Sequence, residues 1–176
     1  MSLPPPPFGN PLEPPINIPD EYLIRIGRIT VAWGALETVV DLALAKLAGF
    51  AQYDPRSAII TAHMTWPLKM DILESLAHAL ATKYPELRRL PKAKPFLAAA
   101  QSGRNRASHG HWVYTDGKVR KLRYTARGQL KASADFISEG EFDEIVLAIT
   151  NAGRAVLDVV FDCGGMAGAV LPDEKV

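Results

Sequence analysis

The chain has 176 residues, 48% of them apolar, enough for one well-buried core and too few for two comfortable domains. Its single cysteine, Cys163, excludes an intramolecular disulfide framework, no Cys/His grouping has zinc-finger spacing, and no run of about 18 apolar residues offers a membrane span. The net charge of +1 conceals a polarity: residues 83–131 hold 13 of the 20 Lys/Arg against two acids, Glu86 and Asp116, a balance of +11, while 7 basic and 17 acidic residues elsewhere give −10.

The opening segment, MSLPPPPFGNPLEPPINIP, has eight prolines in nineteen residues and is incompatible with a helix or an inner strand. Residues 1–19 are therefore expected to form an extended arm, loose or laid across a neighbouring subunit. With neither a positive n-region nor an apolar h-region, the segment points to a cytoplasmic protein with no membrane partner. From Asp20, an N-cap residue type, Leu23, Ile26, Thr30, Trp33, Leu36, Val40, Leu44 and Leu47 recur at spacings of three and four, which predicts one long helix ending near Gly49. Its apolar face is wide and calls for more than one helical neighbour.

A second helical region spans about residues 56–83, but Pro67 lies inside it. A break near Met64 is expected, with Thr65 capping a fresh segment that carries Leu68, Ile72, Leu73, Leu76 and Leu80. The third main helix is expected to begin between Pro91 and Pro95, to run through FLAAAQSGRNRAS, and to stop at Gly110. HWVYT and KVRKLRY then flank Asp116-Gly117, the pair that favours a two-residue hairpin turn, and Leu130 to Ile137 offers a third short strand. Ser138 and Glu141 form a capping-box pattern opening a last helix with Phe142, Ile145, Val146, Ile149, Val156, Val159 and Val160 on its inner face.

Polar chemistry is concentrated in GRNRASHGHW, inside the basic stretch. Arg104 is a planar, permanently charged fork suited to phosphate, and His109 titrates near neutrality. RNA carries its own nucleophile, the ribose 2′-OH, so a metal-free and cofactor-free ribonuclease needs a base, an acid and a cation on the developing phosphorane charge. Residues five apart on a regular helix point about 140° away from each other. Arg104 and His109 thus share a site only if the helix loosens before Gly110. One histidine serves poorly as acid and base at once, so a second copy from a symmetric partner would complete the site. The same residues also fit an ordinary helix end, where cations and a stop glycine are favoured.

The run Arg104, Asn105, Arg106, Ala107, Ser108, His109 and Gly110 resembles the Arg-x4-6-His signature of HEPN domains, and the order of helices is similar to that family over residues 20–163. The resemblance implies an all-α, HEPN-like helical bundle of four to five helices; the small β-hairpin insertion read from the residues (about residues 111–137) after the third main helix departs from the minimal bundle, and the sequence of residues 164–176 reads as a flexible tail. It implies a homodimer with facing motifs and metal-independent RNA cleavage, often in a toxin–antitoxin or phage-defence setting with an antitoxin protein as partner. Arg104 and His109 would be catalytic and Asn105 an orienting neighbour. Some members of the family lack nuclease activity, which leaves a dimeric module binding a nucleotide, RNA or protein as the alternative.

The basic stretch is expected to steer RNA, with Arg106, Arg120, Lys121 and Arg123 as contacts. Trp112 and Tyr114 are either base-stacking residues or half-buried strand aromatics. Trp33 and Trp66 read as core aromatics, and Glu37 on the first helix is a candidate to orient the motif or an ordinary exposed acid.

Overall fold

The computed structural model of the chain describes residues 18–51, 54–108, 111–115, 117–127 and 129–161. Most of the predicted arm (1–17), His109, Gly110, Asp116, Cys163 and the predicted tail lie outside the described residues. The arm's inner boundary moves, because Ile18 is buried in the core rather than part of an extended leader.

Helix α1 (Asp20–Leu47) buries Ile29, Trp33, Leu36, Val40, Ala43, Leu44 and Leu47, the stripe that a 3.6-residue period lines up on one side. Asp20 is its first helical residue and not its N-cap. Pro19 holds the cap position in extended geometry without a side-chain hydrogen bond, and Asp20 and Glu21 act on the positive end of the helix as charges. At the far end Gly49 takes φ +80°, donating its N–H to Lys46 O while Phe50 N–H reaches back to Ala45 O, the paired bonds of a Schellman stop.

The break expected near Met64 is present, with Thr65 in the cap position but making no side-chain capping bond. α2 (Pro55–Ala62) is capped by Asp54, whose carboxylate accepts from Arg56 N–H, and α3 (Trp66–Leu80) starts afresh with Pro67 in its first turn. A 3-10 stretch (Pro85–Ala93), not anticipated from the sequence, leads into α4 (Lys94–Ser108). It buries Leu87, Leu90 and Ala93, one residue per three-residue turn. The hairpin expectation becomes a three-stranded antiparallel meander of β1 (His111–Thr115), β2 (Lys118–Arg127) and β3 (Gln129–Asp135), in the order β1-β2-β3. Gly117 takes the left-handed φ of +71° that the first turn requires. Ser138 and Glu141 form the predicted capping box at the start of α5 (Glu139–Val160), with Ser138 N–H donating to Glu141 Oε2 at 2.7 Å.

The fold is thus mainly helical, with a small three-stranded antiparallel sheet after the third main helix. Its core lies where α1, α4 and the 3-10 stretch pack on α5, with α3 covering the other side of α1. Arg25 on α1 reaches Glu139 (2.6 Å) and Asp143 (3.3 Å) on α5, and the buried Lys69 Nζ of α3 lies 2.6 Å from Asp41 Oδ1 of α1. Gly103 sets the approach of α4 to α5, since a Cβ there would stand 3.1 Å from both Cγ1 and Cγ2 of Ile145. Gly103→Val is expected to overpack this contact and destabilise the fold by about 1–3 kcal/mol, read as a lower midpoint in urea unfolding. An unchanged midpoint would mean that the two helices separate without cost.

Candidate functional site

The segment that carries the motif is the last turn of α4, helical through Ser108. Ala107 is fully buried, which turns this end of the helix inward and leaves Arg104, Asn105 and Arg106 around its rim. The half-buried Arg104 places its guanidinium 5.4 Å from the ring centre of Trp33 on α1, and its Nη1 donates to Asn105 Oδ1 at 3.1 Å. Trp33 in turn packs against Trp66 of α3, ring centres 4.5 Å apart. Three helices therefore meet beneath one arginine. A guanidinium over an indole face gains about 0.5–2 kcal/mol, more where water is excluded, and loses rotamer freedom in advance of any ligand. Among the described residues the buried indole N–H of Trp33 has no acceptor.

Arg106, two residues on, points elsewhere and is exposed. Its Nη2 lies 2.6 Å from Glu141 Oε1, so this expected RNA contact is an ion pair across to the first turn of α5. The Glu141 carboxyl is held below its ordinary value, first by the Ser138 backbone N–H that it accepts, then by the Ser138 hydroxyl and by Arg106.

Lys121 departs furthest from expectation. It is 1% exposed, so it is not a surface contact for RNA. In a strand, alternate residues share a face, and Lys121 lies with Val119 on the inward one. Its Nζ donates to the carbonyl oxygens of Asn105 (3.3 Å) and Arg106. Trp112, its register partner on β1, donates its indole N–H to Ala107 O at 3.2 Å and stacks on Phe142, which makes it a core residue and not a platform for bases. Arg120 is half-buried on the opposite sheet face, in register with Val113, and makes no ion pair among the described residues. The backbone of Arg123 lies in β2 opposite Ser133; its side chain is outside what is described. Tyr114 is 43% exposed, and Glu37 is half-buried on α1 without a hydrogen bond or ion pair among the described residues.

The fold thus redistributes the basic stretch. Lys94 pairs with Glu74 at 2.9 Å, Arg106 with Glu141, and Lys121 is internal, while Arg88, Arg89, Lys92 and Lys118 stand exposed. Two grooves are open on the surface: one of about 560 Å³ between α3 and the 3-10 stretch, with His78, Arg88 and Lys94 on its walls, and one of about 200 Å³ between α3 and α4, with Asp71, Gln101 and the Trp66 that packs on Trp33. Neither is lined by Arg104 to Ser108. The end of α4 remains the better candidate, because a nucleic-acid strand is held by cations on an open surface and needs no enclosed hollow. Among the described residues no three His, Cys, Asp or Glu side chains are placed to hold a metal ion, and no helix is long and apolar enough to cross a membrane.

Sequence reasoning missed the seat of Arg104 on Trp33, for which spacing along the chain holds no signal. It missed the burial of Lys121, for which alternation in β2 gives only half a signal: Lys121 shares a face with Val119, but Leu122 on the other face is buried as well. Comparison with family models, curated proteins and solved structures finds no match.

The Ser138–Glu141–Arg106 cluster joins the motif helix to α5, and its pH response is fixed in sign. Folding lowers the pKa of Glu141, so its contribution is full above 4.5 and is lost as pH falls through the lower folded value. Glu141→Gln, which removes the charge and keeps the shape, is expected to cost about 1 kcal/mol at neutral pH. In urea unfolding the gap to wild type should narrow on acidification below that range, and a gap independent of pH would remove the carboxylate from this role.

Proposed function

We propose that the chain is a metal-independent endoribonuclease of HEPN type that acts as a homodimer. The observation that carries this reading is Arg104, a guanidinium preset on Trp33 and steadied by Asn105, at the end of the helix that leads directly into His109. In the proposed reaction the ribose 2′-OH attacks the adjacent phosphorus as His109 takes its proton. The 5′-oxygen leaves with a proton from His109 of the second copy, and the products are a 2′,3′-cyclic phosphate and a free 5′-OH. Arg104 offsets the extra negative charge on the phosphorane, where a fixed donor set does more than it does on the ground-state phosphodiester. The exposed Arg88, Arg89, Lys92 and Lys118, together with Arg120, supply the long-range field that draws RNA in. A toxin–antitoxin or phage-defence role, with an antitoxin protein as partner, belongs to the same proposal.

A second reading, a non-catalytic dimeric module that binds a nucleotide, RNA or protein, is favoured by one observation: Arg106 and Lys121 are both engaged within the fold. Purified protein incubated with mixed RNA and a chelator separates the two. Wild type is expected to leave 2′,3′-cyclic phosphate ends, with Arg104→Ala and His109→Ala, matched for fold by circular dichroism, slower by about 10²–10⁴. RNA retention without cleavage by the folded dimer would establish the second reading, and equal cleavage by all three proteins would overturn both residue roles.

A further inference from the structure

We infer that Lys121 is a positioning residue for the motif, and that the sheet fixes the stretch of backbone between Arg104 and His109. The catalytic part of this inference rests on the function proposed above; the mechanical part does not.

The last four carbonyls of an α-helix have no donor within the helix. α4 ends at Ser108, so the carbonyls of Asn105, Arg106 and Ala107 are among those left over. Lys121 Nζ takes the first two and Trp112 Nε1 the third, from neighbouring strands in register. These are three of the four residues that lie between Arg104 and His109. A loose helix end would leave the turn that carries Arg104 free to fray, whereas three consecutive carbonyls anchored to one sheet fix that turn.

The choice of lysine supports the inference. A fully buried ammonium is costly to desolvate, and an apolar residue there would pack without that cost. Its location at the negative end of α4, where it meets two unpaired carbonyls, supplies compensation. An apolar residue would leave the carbonyls of Asn105 and Arg106 without these donors. The position therefore calls for a long donor reaching up from the sheet, and Arg104 sits on the same turn that it holds.

The test combines Lys121→Met and Trp112→Phe, which remove the clamping donors and keep an apolar or aromatic body. Hydrogen exchange followed residue by residue is expected to accelerate from Asn105 to His111 in both variants, with protection of α1 and α5 unchanged. RNA cleavage by Lys121→Met should lose about tenfold or more in kcat with KM little altered, since the site is loosened and RNA is still bound. A loss expressed in KM would make Lys121 a direct RNA contact and overturn the inference, as would unchanged exchange over residues 105–111 or a uniform loss of protection in every helix. If Lys121→Met fails to fold, Trp112→Phe alone decides by the same exchange measurement. If wild type does not cleave RNA, the proposed function fails, while the exchange data still decide whether the clamp exists.

Discussion

A helix whose end turns inward must find donors for carbonyls that water would otherwise satisfy, and at α4 this requirement organises the second half of the chain. Ala107 is buried, so solvent cannot serve the end of the helix freely. The strand pair that follows supplies an indole N–H and an ammonium from one inward face. Once Trp112 is drawn to Ala107, its ring lies on Phe142 and brings the sheet against the first turns of α5. The capping box then fixes where α5 begins, and Glu141 of that box returns to Arg106 on the same end of α4. Sheet, α4 and α5 are joined through groups that all converge on one helical turn.

Electrostatics follow from this packing more than from composition. The sequence separates charge into a basic stretch and an acidic remainder, but folding lays acids of α3 and α5 against it: Glu74 on Lys94 and Glu141 on Arg106. These pairs are partly exposed and add little to stability individually. Their consequence is to select which cations stay available to a partner. What remains is spread over the 3-10 stretch and the first turn of the sheet, with Arg104 set between aromatic and polar neighbours.

Where local rules decide conformation, the sequence could be read directly. Pro67 forces a new helix start, Gly49 and Gly117 occupy left-handed positions, and Ser138 with Glu141 closes a capping box. Pro19 in the cap position shows the limit of that approach, since Asp20 is the better cap by residue type and is displaced by one position. The 3-10 stretch was legible only as a spacing of three, Leu87, Leu90 and Ala93, in a segment where prolines discourage any helical reading. The site was legible as a motif and not as a geometry. Nothing along the chain relates Trp33 to Arg104, because a contact between residues 71 positions apart is set by helix packing. Lys121 is different: the period of a strand groups it with Val119, but the same period groups Leu122 with Arg120 and Tyr124 on the other face, and Leu122 is buried too, so alternation alone does not decide which face turns inward.

The seat of Arg104 bears on how such a side chain could meet a phosphate. A cation–π contact uses the face of the guanidinium, while hydrogen bonds to an anion use N–H groups in its plane. Packing on Trp33 therefore does not compete with phosphate for the same surface of the group. It does restrict the side chain's rotamers before binding, and so removes part of the ordering cost that a flexible cation would incur on contact. Lysine has no planar fork to divide in this way, since its ammonium offers one point of charge to both partners. The Trp66–Trp33 pair below and the clamped carbonyls beside it constrain the guanidinium and its backbone from two directions, which is the arrangement a charge-stabilising group requires if it is to act on a transient state.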